Sequence, residues 1–232
     1  MQIIPAILPK DFADLEAHVA RVKGLVPLVQ VDICDGRFTP AASWPYKKRD
    51  ANFEAITREE RGMPFWEEVE YEFDLMVNKP EDVVEHYVAA GSTRVIIHAE
   101  SKGNIAEAIE MLQGKVEVGL ALNVDTPLDQ LDQFIIPAKT GILSNDKGKI
   151  QYIQLMGIDN VGFQGQTFDN KVIEKVKEVK KKYPGLEIQI DGGVSLETAP
   201  LLRDVGADRL IIGSAIFESG NIVEVIEEFK KL

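Results

Sequence analysis

Along the chain, short β-branched runs alternate about eight times with stretches whose apolar residues recur every three or four positions. The short runs predict strands at residues 2–8, 28–33, 71–76, 94–98, 116–122, 150–156, 187–190 and 209–212. Several are continuously apolar, such as Val95-Ile96-Ile97 and Leu210-Ile211-Ile212, as expected of parallel strands covered by helices. Between the strands, Phe12, Leu15, Val19 and Val22 mark one helix face, with Asp11 placed to cap its start. Asn104 opens a second, carried by Ile105, Ala108, Ile109 and Leu112. Thr126-Pro127 reads as a cap and first-turn proline ahead of Leu128, Leu131 and Ile135. Asn221 and Glu224 form a capping-box pattern before Ile222, Val225, Ile226 and Phe229. Pro80 opens a helix that Gly91 closes, and Pro200 delays the start of the helix expected within 195–205.

Two stretches break the rhythm. Residues 39–64 read as a loop with a poorly patterned helix around 51–60, and 137–149 as a polar connection with Gly141, Asn145-Asp146 and Gly148 as turn residues. With no linker or low-complexity segment, the alternation predicts an α/β fold with parallel strands. Eight units in 232 residues favour a closed (β/α)8 TIM barrel, one domain over 1–232, above an open doubly wound sheet.

Composition narrows the partners. With 45% hydrophobic residues the chain can bury a full core, and no apolar run approaches the roughly 20 residues of a membrane span. The first residues lack the layout of a secretion signal. The single cysteine, Cys34, allows neither an intrachain disulfide nor a cysteine zinc cluster, so the expected location is a reducing cytoplasm. A net charge of −12 argues against nucleic acid and anionic membrane as partners. It leaves small phosphorylated molecules open, because backbone N–H groups in glycine-rich loops hold phosphate without many lysines.

In such barrels the active site forms at the strand C-terminal ends. There the second strand carries Gln30-Val31-Asp32, the third Asp74-Leu75-Met76, the fourth His98-Ala99-Glu100, and the seventh Asp191-Gly192-Gly193. Side chains alternate along a strand, so Gln30 and Asp32 share a side; if it faces inward, Asp32 and Asp191 converge on the mouth. A lone aspartate at a strand end is as readily a turn former, but two opposed carboxylates suit proton abstraction beside a carbonyl and proton return to the other face. Phosphate-binding candidates are the Gly162-Phe163-Gln164-Gly165-Gln166 loop, Gly192-Gly193 and Gly213-Ser214. Cys34 has no histidine near it in sequence and is a poor nucleophile candidate.

These residues, in order and spacing, resemble the ribulose-phosphate 3-epimerase family over nearly the whole chain. The matching stretches are Pro5-Ala6-Ile7-Leu8, Val31 through Pro40, Leu75-Met76-Val77, His98-Ala99-Glu100, Ala121-Leu122-Asn123, Thr126-Pro127-Leu128, Gly162-Phe163 with Gly165-Gln166-Thr167-Phe168, Asp191 through Val194, and Gly213 through Phe217. The resemblance implies a ribulose-phosphate-binding barrel that interconverts D-ribulose 5-phosphate and D-xylulose 5-phosphate. Asp32 and Asp191 would be its acid/base pair, on opposite faces of C3. It implies phosphate binding by Gly192, Gly193, Gly213 and Ser214, methionines Met76 and Met156 near the reacting carbon, a divalent metal polarising the C2 carbonyl, and self-association into homo-oligomers.

The departures from the family pattern fall on the metal site. Gln30 and Asp74 stand where the family has histidines, Ala6 replaces a serine, and the loop after Met156 is longer by about a residue and lacks Asn-Pro-Gly. The remaining candidate ligands, Gln30, Asp32, Asp74 and Asp191, offer oxygen and favour magnesium or manganese over zinc; a metal-free site is the alternative. Without a cation, three carboxylates in one mouth repel and at least one pKa should rise. His98 is expected to be a packed strand-end residue. Lys47-Lys48-Arg49 beside Trp44 and Tyr46 read as a solvated run or as contacts to a different substrate. The competing functions are a non-catalytic or altered-substrate phosphosugar-binding paralogue, and a decarboxylase- or aldolase-like reaction. The latter is disfavoured because Asp32-Ile33-Cys34-Asp35 has no lysine in the Asp-x-Lys-x-x-Asp pattern.

Overall fold

The computed structural model describes residues 1–46, 62–135 and 150–232. Eight parallel strands close into a barrel in sequence order: β1 (Gln2–Ile7), β2 (Leu28–Cys34), β3 (Glu70–Met76), β4 (Arg94–His98), β5 (Glu117–Leu122), β6 (Tyr152–Met156), β7 (Glu187–Asp191) and β8 (Arg209–Ile212), with β8 pairing back to β1. Outside lie α1 (Phe12–Val22), α2 (Val84–Ala89), α3 (Ile105–Leu112), α4 (Lys171–Lys182), α5 (Ala199–Asp204), α6 (Ser214–Phe217) and α7 (Ile222–Lys230). The expected helix around 51–60, the connection at 137–149 and the Lys47-Lys48-Arg49 run lie outside the described residues. Among the described residues no helix is long and apolar enough to cross a membrane.

The caps do the work expected of them. Asp11, Asn104 and Asn221 accept from the backbone N–H groups of Asp14, Glu107 and Glu224, each satisfying a first-turn donor. Pro200 sits in the first turn of α5, where its missing N–H costs nothing. Thr126-Pro127 behaves differently from the α-helix start expected there. Leu128–Leu131 is a short 3-10 turn with Pro127 at its cap position, and the Thr126 hydroxyl donates instead to Glu100.

Strand alternation sorts the core into two compartments. Outward residues such as Val29, Val31, Ile33, Phe73, Leu75, Val95 and Ile97 join the helices in the main apolar core. Among the described residues, the barrel interior holds two small apolar clusters, Ile4, Ala6, Leu28 and Ile211 in one and Ile96, Ala121 and Tyr152 in the other. Much of the remaining interior is polar and buried: Gln30, Glu72, Asp74, His98, Gln154 and Gln189 have no exposed surface. Tyr152 crosses this space because Gly119 faces it; a Cβ there would stand 2.5 Å from the Tyr152 ring.

Glu72 is the floor of the polar column. It accepts from the Tyr152 hydroxyl at 2.8 Å and from Gln189 Nε2 at 2.7 Å. Burial pushes it up from 4.5 to about 6, against those bonds and the charges of Arg94 and Arg209. The folded state therefore holds this proton more tightly than the unfolded chain. Glu72's contribution to stability is complete below about pH 4.5 and is lost as pH rises through about 6, a difference of about 2 kcal/mol. Urea unfolding of Glu72→Gln at a series of pH values should lack that part of the wild-type slope.

Candidate active site

The C-terminal ends of the strands surround a cavity of about 450 Å³. Asp32 from β2 and Asp191 from β7 both line it. Asp74, in register with Asp32 on β3, is buried beneath them. One oxygen from each of the three carboxylates lies within 4.8 Å of the others. Asp35 ties the loop after β2 to itself and to the loop after β3. Asp35 accepts from the amides of Arg37 and Phe38 at 2.7 Å and from Asn78 at 2.8 Å. Thr39 then donates to the Val161 carbonyl of the loop after β6.

Amide nitrogens fill the space between the carboxylates. Gln30 Nε2 donates to Asp32 Oδ1 and to Asp191 Oδ2, both at 2.8 Å, and its carbonyl oxygen accepts from Gln189. In this arrangement Gln30 is a donor to the carboxylates rather than the oxygen ligand expected from the sequence. Gln154 Nε2 reaches Asp74 Oδ2 at 3.0 Å and Asp191 Oδ2 at 3.3 Å. His98 packs against Phe38, but its Nε2 also stands 3.1 Å from Asp74 Oδ1. Although burial alone would lower its pKa, the Asp74 charge and hydrogen bond, with Glu100, push His98 up to about 10.

The repulsion expected among the acids is present. Burial first, then the charges of Asp191 and Asp74, raise Asp32 well above its ordinary value. Burial and the Asp74 charge push Asp191 up to about 7, with the Gln30 bond and His98 opposing. Cys34 is buried, and desolvation raises its thiol far out of nucleophilic range.

The expected sugar-phosphate residues gather on the same cavity. Gly162, Gly165 and Gln166 come from the loop after β6, Gly192 and Gly193 follow β7, Gly213 and Ser214 follow β8, and Met156 joins them at the end of β6. Gly193 has φ 68, and a Cβ on it would stand 2.6 Å from the Phe168 backbone, so only glycine lets the loops after β6 and β7 pack this closely. Gln164 reaches across so that its Nε2 stands 3.1 Å from where a Gly213 Cβ would be.

The family model described as "Ribulose-phosphate 3 epimerase family" matches residues 2–217. The chain belongs to this family. Its relatives include the cytoplasmic isoform of ribulose-phosphate 3-epimerase from Oryza sativa subsp. japonica, 29% identical over 99% of this chain and 93% of the rice protein. The ribulose-phosphate 3-epimerase of Bacillus subtilis (strain 168) is 29% identical over 99% of this chain and 98% of its own. Among solved structures, 3-hexulose-6-phosphate synthase from Salmonella typhimurium superposes with a TM-score of 0.69 at 15% identity, covering 100% of this chain and 97% of that one. KGPDC from Streptococcus mutans in complex with D-R5P gives 0.68 at 16%, covering 99% and 95%. At such identities these two structures speak for the barrel alone.

Within the epimerase family's frame, the sequence reading left four residues of the site unremarked: Glu72, Tyr152, Gln154 and Gln189. The signal was available as polar side chains at every second position, Glu72/Asp74, Tyr152/Gln154 and Gln189/Asp191, on otherwise apolar strands.

Proposed function

We propose that the chain is a sugar-phosphate epimerase interconverting D-ribulose 5-phosphate and D-xylulose 5-phosphate, with Asp32 and Asp191 as its two proton carriers. The observation carrying this reading is that the two carboxylates enter one cavity from β2 and β7 with a single amide nitrogen between them. The ionised member takes the proton from C3, breaking the C–H bond and leaving an enediolate. The protonated member gives its proton to the other face of the same carbon. Such a pair works with a proton on one member only, and burial and like charges, which raise both groups, favour retaining one. Gly192, Gly193, Gly213 and Ser214 present backbone and hydroxyl donors to the substrate's phosphate, and Met156 packs beside the reacting carbon.

The donor set at the mouth suits a hard divalent cation, since Asp32, Asp74 and Asp191 offer only oxygen. These three residues would hold magnesium or manganese, whose chemistry is polarisation of the substrate's C2 carbonyl. A cation there competes with His98 and Gln154 for the Asp74 oxygens. Chelator-dialysed protein should therefore gain thermal stability when manganese is added at pH 8, and Asp74→Asn should lose that gain. No shift with any divalent metal would remove the metal from the account.

The activity is tested by NMR of D-ribulose 5-phosphate incubated with purified protein. Conversion to D-xylulose 5-phosphate is expected. Binding without conversion of any pentulose or hexulose phosphate, with or without divalent metals, would leave a phosphosugar-binding barrel in its place.

A further inference from the structure

We propose that Gln30 is a positioning residue for the acid–base pair, set in orientation by its buried neighbours Gln189 and Glu72. The inference rests on the reading of Asp32 and Asp191 as proton carriers.

A primary amide has two N–H donors and one acceptor oxygen, whereas an ionised carboxylate only accepts. Both hydrogens of Gln30 are spent at the mouth, one on Asp32 Oδ1 and one on Asp191 Oδ2, each at 2.8 Å. A planar group holding one oxygen of each carboxylate fixes both and leaves Asp32 Oδ2 and Asp191 Oδ1 for the substrate. That works only while the nitrogen, not the oxygen, of Gln30 points outward. Turned over, the amide would set its oxygen against two carboxylates.

The orientation is set by the hydrogen bonds of Glu72 and Gln189. Glu72 already takes the Tyr152 hydroxyl on Oε2, and its Oε1 takes Gln189 Nε2 at 2.7 Å, so Gln189 must face Glu72 with its nitrogen. Its other hydrogen is shared between Gln154 Oε1 at 2.8 Å and Gln30 Oε1 at 3.1 Å. That shared donor favours both amides with their oxygens toward Gln189 and their nitrogens toward the aspartates. Gln30, Glu72 and Gln189 are completely buried, so water cannot supply the missing partners when one is removed.

The test uses Gln189→Met, which touches neither carboxylate, together with Gln30→Leu and Gln30→Asn, the last keeping the amide but too short to reach both acids. Each Gln30 variant should lower kcat about 100-fold, and Gln189→Met between about 10- and 100-fold, with KM within about twofold of wild type. Because Gln189 acts largely through Gln30, the Gln30→Leu/Gln189→Met double variant should lie within about threefold of Gln30→Leu. Inorganic phosphate binding, read by calorimetry, confirms that each variant is folded. A crystal structure of Gln189→Met should show the Gln30 amide turned and the two carboxylates displaced by at least about 0.5 Å. Unmoved carboxylates would overturn the proposal whether or not the protein turns over substrate. So would Gln30 variants that keep kcat within about threefold, or losses in single and double variants that simply multiply. Failure of the epimerase reading is a separate result, seen as a wild-type protein that converts no ketose phosphate.

Discussion

Asp32→Asn and Asp191→Asn should each lower epimerisation by roughly three orders of magnitude while leaving the protein folded. The loss is large because each carboxylate serves one face of the carbon, and an amide can neither take nor give the proton. The fold should survive for an electrostatic reason. Both groups carry raised pKa values, from burial and from like charges. A carboxylate raised in this way adds stability while it is protonated and loses that contribution as pH rises through its folded value, about 7 for Asp191. Asparagine removes the charge but keeps an oxygen that can accept from Gln30. At pH 8 the Asn proteins should therefore melt at or above the wild-type temperature. A variant that both unfolds and loses activity would point to packing instead.

Ser214→Asp should raise KM for the sugar phosphate about 100-fold, from like-charge repulsion of about 3 kcal/mol. Ser214 lines the cavity at the start of α6, beside Gly213. A carboxylate there meets the substrate's phosphate, whereas Asp32 and Asp191 stay as they are. At saturating substrate, kcat should fall far less than kcat/KM. Competitive inhibition by inorganic phosphate should weaken in parallel. If KM and phosphate inhibition both stay at wild-type values, the phosphate lies elsewhere.

The hydrophobic pattern carried the barrel well, because a parallel strand buried on both sides leaves a continuous apolar run whatever its neighbours. Thus 94–98 and 209–212 match β4 and β8 at both ends. Local chemistry was legible too, since Asp11, Asn104 and Asn221 bond to amides three residues away. Thr126 shows where local reading ends: its hydroxyl is taken by Glu100, 26 positions back, and only a 3-10 turn follows among the described residues up to 135. The same limit hid the polar column. Gln189 meets Glu72 across 117 positions and Gln30 across 159. Only the closed register of the barrel brings such residues together, and a strand glutamine taken alone reads as a partly exposed position. Asp32 and Asp191 stood out, and line the cavity, because strand-end position in this fold is itself a signal; Gln154 and Gln189, one step inside, had none of that help.

The most direct test is to run wild-type protein on D-ribulose 5-phosphate in deuterated water and read C3 of the product by NMR. Two carboxylates acting on opposite faces predict D-xylulose 5-phosphate carrying solvent deuterium at C3. Product that keeps its original hydrogen there, or an absence of both product and label, would contradict the account.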